Sequence, residues 1–352
     1  MKFENLLPDY IKYENLEFWA NGTTALYSIL FKLRNNSETI IINDSTCLQV
    51  ILPCIWLKFK IKFLDISKDN LQPDIDKINF KELSADIFIW VHQYGFVSNL
   101  KNLKRSCDKN NIVLIEDACQ TFPLKTNNNN CCKYGHFSIC SFGSGKLFNT
   151  ELGGGISFGH HSRVDTLIKK KQVLNFSNTK NNYVGLEFNE LYNKFFTLEG
   201  DLFSKYFKKY IFSLKPEMFI KDISNAQIDQ IENRLENYKN IIEIRLNNYN
   251  LFKNLNLPDG WRFLKLPQGC IPWRIILISD NDCTKIFKKI ISSQTLISSW
   301  YPSLNFCLNG YEVAAKFTPN SLSLSNKLLN IWCDESADNF YYQRIINNLS
   351  DK

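Results

Sequence analysis

Long apolar runs are missing from this sequence. No stretch approaches the roughly 20 apolar residues that cross a bilayer, so no membrane span is expected. The opening segment, MKFENLLPDYIKYENLEF, spreads its charges and holds no apolar core, unlike a secretion signal. Cys-x-x-Cys pairs are also missing. The 11 cysteines fall at other spacings, and the adjacent Cys131-Cys132 does not form a zinc knuckle, so no metal site is expected. Cys54 and Cys140 sit inside apolar runs, as buried free thiols do in a reducing cytosol. A cytoplasmic location follows as an expectation. Histidine is scarce. Of the four, His136, His160 and His161 have no partner spacing and read as structural or solvated. There is no internal repeat and no flexible linker.

What is present fits a globular enzyme. The 352 residues are 44% hydrophobic and 22% charged, enough for one large domain or two ordinary ones, each with its own core. The net charge of +7 is scattered, and its longest run is Lys169-Lys170-Lys171. A solvated basic surface accounts for it; attraction of phosphorylated or nucleotide-bearing substrates is a second reading. No basic stretch carries a nucleic-acid-binding motif, so nucleic acid is not an expected partner.

Residues 18 to 158 alternate short apolar runs with longer amphipathic ones. Strands are expected at Thr39 to Ile42, Lys62 to Asp65, Asp86 to Val91 and Ile112 to Glu116. Helices are expected between them, at Thr23 to Leu33, Thr46 to Leu57 and Ser98 to Asp108. This alternation predicts a mainly parallel sheet covered by helices on both faces. Two more short strands, Phe137 to Ser141 and Gly155 to Phe158, flank a glycine-rich turn. The stretch from His160 to Ile220 has no clear period. From Asn225 to Leu255 the apolar spacing predicts one long helix. A smaller α/β unit follows, with strands at Ile275 to Ile278 and Leu329 to Trp332, and helices at Cys283 to Ile291 and Glu335 to Leu349. The expected domains are 1–235 and 236–352.

Three local features carry chemistry. Gly22 and Thr23 open a helix, where backbone N–H groups and the dipole favour a phosphate; an ordinary capped helix start would look the same. Asp117 ends an apolar strand, where ligands of open α/β sheets bind, and a buried carboxylate there requires a cation such as a protonated pyridine. The alternative is a cap for a following helix. Lys146 follows Ser141-Phe142-Gly143-Ser144-Gly145 in a flexible turn, with Ser141 and Ser144 as phosphate donors. A surface lysine in a hairpin is the competing reading.

The order of these features resembles the DegT/StrS family of sugar aminotransferases. Gly22-Thr23-x-Ala25-Leu26 is similar to its phosphate-binding segment, and His92-Gln93-Tyr94-Gly95 to its His-x-Tyr-Gly element. Glu116-Asp117-Ala118-x-Gln120 and Ser141-Phe142-x-x-x-Lys146 match two further motifs, and Asn225-Ala226-Gln227, Leu235 and Arg245 resemble the helix that follows. The resemblance covers most of the chain. It implies fold type I, the aspartate-aminotransferase-like α/β fold, with a large pyridoxal-phosphate domain and a smaller C-terminal one. It implies that Lys146 is the Schiff-base lysine and proton-moving base, that Asp117 pairs with the pyridine nitrogen, that Gln120 bonds the phenolic side, and that Ser141, Gly22 and Thr23 hold the phosphate. It also implies a homodimer and a role in surface-polysaccharide or secondary-metabolite sugar assembly.

The sequence departs from the family in three places. Cys47 aligns with an aromatic that stacks on the cofactor ring in many members, so Cys47 or Thr46 is expected to pack there. The Asn-Tyr-Arg-Met stretch, whose Asn reaches the partner's phosphate, is replaced by Phe219-Ile220-Lys221-Asp222-Ile223-Ser224. Gly143-Ser144-Gly145 precedes Lys146 where bulkier residues are usual. The expected reaction moves an amino group from an amino acid, glutamate by resemblance, to a nucleotide-linked keto sugar. Dehydration or decarboxylation on the same site is an alternative, as is a non-catalytic binding or regulatory protein. A dehydratase branch carries histidine at the position of Lys146, so lysine favours transamination.

Overall fold

The protein is described here from a computed structural model, which covers residues 3–12, 15–125, 130–159, 200–299, 301–308 and 318–350. His160, His161 and the Lys169-Lys170-Lys171 run lie outside the described residues.

Seven strands form the larger sheet: β1 (Leu16–Trp19), β2 (Thr39–Asn43), β3 (Lys60–Leu64), β4 (Ile87–Val91), β5 (Val113–Asp117), β6 (Phe137–Ser141) and β7 (Gly155–Gly159). Their spatial order is β1-β7-β6-β5-β4-β2-β3. Pairing is parallel from β6 to β3, while β7 runs antiparallel to both β6 and β1. The central strands are apolar on both faces because helices cover both. Ile40, Ile42, Ile87, Ile89 and Ile115 point to one side, where helices α1 (Gly22–Leu33) and α2 (Leu48–Trp56) add Leu26, Leu30, Ile51 and Leu52. Ile41, Phe88, Trp90 and Leu114 point to the other, against Leu103 and Cys107 of α3 (Lys101–Lys109). The alternation follows from the two-residue period of a strand. These findings bear out the mainly parallel α/β expectation.

Beyond residue 200 come α4 (Gly200–Ser213), α5 (Asn225–Glu236) and α6 (Tyr238–Lys253). The long helix expected from Asn225 is therefore two, broken at Asn237. The apolar period runs through the break, so periodicity alone could not reveal it. Ser224 and Gln227 form a capping box that starts α5. A second sheet orders β8 (Trp261–Phe263), β9 (Ile275–Ser279), β10 (Ile297–Ser298) and β11 (Leu328–Ile331) as β10-β11-β9-β8, antiparallel throughout. Its Ile275, Leu277, Leu329 and Ile331 face α7 (Thr284–Ser292) and α8 (Asn339–Leu349) through Phe287, Ile290, Tyr342 and Ile345. Ile276, Ile278 and Leu328 belong instead to the core that also holds α1 and α2. The second sheet thus shares apolar packing with the first, and this join places its residues beside the ends of β2, β5 and β6.

Candidate active site

The residues singled out in the sequence meet where β5 and β6 end and α1 begins. Gly22, Thr23, Cys47, Asp117, Gln120, Ser141 and Lys146 line one cleft, together with Cys119 and apolar side chains such as Leu26 and Ile139. Thr46 does not line it. Its hydroxyl is buried beside the cleft without a hydrogen-bond partner among the described residues. Ser144 is exposed and stands outside.

Helix α1 aims its first turn at this cleft. Asn21 caps it by accepting from the Thr24 N–H at 2.8 Å. Gly22 is required by contact. A Cβ there would stand 2.9 Å from the Ser141 Cβ and 3.2 Å from the Cys119 sulfur. The helix start and the end of β6 therefore touch backbone against side chain, and Thr23 and Ser141 share one wall of the cleft.

Asp117 is 1% exposed at the end of β5. No helix follows it. Its Oδ1 accepts from the Cys119 N–H at 2.9 Å in a tight turn, so the helix-cap alternative is excluded. No ion pair involves Asp117 among the described residues. The residue before it is differently served: Glu116 is fully buried, bonds His92 Nε2 at 2.8 Å, and accepts the backbone N–H groups of Cys132, Tyr134 and Gly135. Burial pushes the Glu116 carboxyl up, but His92 and these N–H groups outweigh it and leave the carboxyl below its usual range.

Lys146 sits in a loop held by side chains from α6 and from just before β9. Trp273 Nε1 donates to the Gly145 carbonyl at 2.7 Å, and Arg245 donates to the Lys146 carbonyl at 3.4 Å. Arg245 is buried and also donates to the Trp273 carbonyl at 2.8 Å. Gly145 has φ +74°, and a Cβ there would lie 3.0 Å from the Arg274 guanidinium. The glycine before Lys146 thus answers both a left-handed backbone and a close neighbour. The thiols of Cys47 and Cys119 flank the cleft; burial pushes both up, with Lys146 pulling the other way. Both therefore stay protonated near neutral pH. All 11 cysteines are free, and nine are buried, as expected from their apolar surroundings. No cluster of metal-ligating side chains occurs among the described residues.

Two tyrosines at this site were given no role from the sequence. Tyr94 takes a left-handed conformation, φ +61°, and its N–H donates to Gln120 Oε1. Gln120 Nε2 donates to the Tyr301 hydroxyl at 2.8 Å. The signal for Tyr94 was present in the His-x-Tyr-Gly element. Tyr301 lies 181 residues from Gln120, and no local pattern marks it.

The sequence profile of the DegT/DnrJ/EryC1/StrS aminotransferase family matches residues 1–189. GDP-perosamine synthase from Vibrio cholerae is 22% identical over 172 residues, 48% of this chain and 47% of that protein. The match thus spans about half the length of that relative. Among solved structures, a DegT DnrJ EryC1 StrS aminotransferase from Brucella abortus superposes with a TM-score of 0.69 at 17% identity, covering 96% of this chain and 85% of that one. An E. coli GDP-4-keto-6-deoxy-D-mannose-3-dehydratase with bound hydrated PLP superposes at 0.70 and 14% identity, covering 96% and 88%. At these identities the superpositions establish the fold, which is that of PLP-dependent transferases of fold type I. With more than half of its length matched by the family profile, the chain belongs to the DegT/DnrJ/EryC1/StrS aminotransferase family.

Proposed function

We propose that the cleft holds pyridoxal phosphate on Lys146, and that the protein is an aminotransferase moving an amino group from glutamate to a nucleotide-linked keto sugar. One observation carries the reading. Asp117 is a buried carboxylate without an ion-pair partner among the described residues, in the same cleft as a lysine and a helix N-terminus. A buried charge needs a counter-charge, and a protonated pyridine nitrogen supplies one. The donor set fits the rest of that group: the first turn of α1, Thr23 and Ser141 suit a phosphate, and an amine suits an aldehyde.

When bound, pyridoxal phosphate supplies an electron sink for the bonds at the substrate's reacting carbon. Lys146 would hold it through Nζ, and its amine would move the proton at the donor's α-carbon. Asp117 would keep a proton on the ring nitrogen. The amide of Gln120 has two N–H groups; one is engaged by Tyr301, which leaves the other for the phenolic oxygen. Cys47 offers no ring to stack on. Lysine at position 146, where the dehydratase branch has histidine, favours amino transfer over dehydration.

We further read the chain as two domains, 1–235 and 236–352, acting as a homodimer in the cytoplasm in nucleotide-sugar metabolism. The break at Asn237 supports that division, and no described helix is long and apolar enough to cross a membrane. The test is direct. Purified protein given pyridoxal phosphate should gain a visible absorbance band that Lys146→Ala abolishes. Glutamate plus a panel of nucleotide keto sugars should release 2-oxoglutarate in step with amino-sugar formation. A protein that stays colourless with added cofactor would sink the reading; sugar turnover without 2-oxoglutarate would redirect it to dehydration.

A further inference from the structure

Tyr301 enters the site from the second domain, just past β10, and is 2% exposed. Its hydroxyl accepts from Gln120 Nε2 at 2.8 Å and lies within hydrogen-bonding reach of the Cys47 thiol. Both contacts are to cleft residues. The tyrosine itself is fixed by other bonds. Its N–H donates to the Tyr94 hydroxyl at 3.2 Å, its carbonyl accepts from Ser45 Oγ at 2.8 Å, and its ring stacks on Tyr94 with centroids 6.1 Å apart.

We propose that Tyr301 is a positioning residue of the cofactor site: its hydroxyl, delivered from beyond β10, orients the Gln120 amide. The proposal rests on the cofactor reading above. Gln120 has rotational freedom about its side chain. With Oε1 held by the Tyr94 N–H and Nε2 held by Tyr301, the remaining Nε2 proton has one direction left, and that direction is set by residues from two domains. Without the hydroxyl, the amide keeps one anchor only, and its other donor is left buried and unmatched.

Tyr301→Phe tests this, because it keeps the ring, the stacking on Tyr94 and both main-chain bonds. Three measurements apply: the thermal midpoint of the apo-protein, the dissociation constant for pyridoxal phosphate, and the pH at which the bound cofactor's visible band titrates. The expected result is a folded apo-protein, a dissociation constant raised about threefold to thirtyfold, and a displaced titration of the band. A second variant, Gln120→Leu, completes a cycle. In that background Tyr301→Phe should add little, since the tyrosine acts through Gln120. Wild-type affinity and wild-type titration in Tyr301→Phe overturn the proposal, as do effects fully additive with Gln120→Leu. If the wild-type protein takes up no cofactor, the cofactor reading fails first and this proposal falls with it; if it does take up cofactor and Tyr301→Phe matches it, only this proposal fails.

Discussion

Neighbouring acids can have opposite tasks, and Glu116 and Asp117 are such a pair. Glu116 is saturated by His92 and three backbone N–H groups, and it ties the 132–135 turn to β5. Asp117 accepts one N–H and has no ion-pair partner among the described residues. A charge buried without a partner costs stability and is kept where a ligand completes it. Asp117→Asn should therefore leave the apo-protein at least as heat-stable as wild type. It should also cut amino-transfer turnover by at least about a hundredfold and reduce the stabilisation gained from added cofactor. Melting curves with and without pyridoxal phosphate check this. A variant that melts earlier without cofactor and keeps its turnover would make Asp117 structural.

At the scale of elements, the site is a contact between a helix start and a strand end. Helix α1 reaches β6 so closely that a methyl group at Gly22 meets the Ser141 Cβ at 2.9 Å. Relief requires α1 or β6 to move. Gly22→Ala should cost roughly 1–3 kcal/mol of stability and weaken cofactor binding at least about tenfold, read by denaturant melts and by titration of the absorbance band. An unchanged affinity would mean that the first turn of α1 does not hold the phosphate. The motifs that place these elements were legible because each is local. Asn21 to Leu26, Glu116 to Gln120 and Ser141 to Lys146 each join one strand or helix end to its own turn. The edge strand β1 was not legible: its four residues are half-buried and show no apolar alternation. β8 is only three residues long and β10 only two, too short for a pattern to register. Such strands are defined by their partners rather than by their own pattern.

Across the whole molecule, the two sheets are joined by polar groups as well as by the shared core. Asp44, just past β2, is buried; its carboxylate accepts from Ser303 Oγ at 2.6 Å and from the Asn305 N–H at 2.5 Å. Burial pushes its carboxyl up to about 6, with the bonds from Ser303 and Asn305 pulling the other way. The sign follows from linkage. The folded state holds this proton more tightly than the unfolded chain, so stability from this group is fullest below pH about 4 and declines as pH rises towards 6. Asp44→Asn removes that decline. Its stability relative to wild type should improve between pH 4 and 7, by up to about 3 kcal/mol for a shift of this size. Denaturant melts across that range measure it, and a pH-independent difference between the two proteins would refute it. The sequence by itself determined the parallel α/β class, through buried β-branched runs alternating with amphipathic helices, and most of the residues that line the cleft, through short motifs at element ends. It could not determine which distant residues hold Gln120 and the Lys146 loop in place. Tyr301, Trp273 and Arg245 reach Gln120 and the Lys146 loop across 100 residues or more, or nearly so. Those contacts arise only when the second sheet buries Ile276, Ile278 and Leu328 in the first core, because packing, unlike secondary structure, is set by surfaces that meet only after folding.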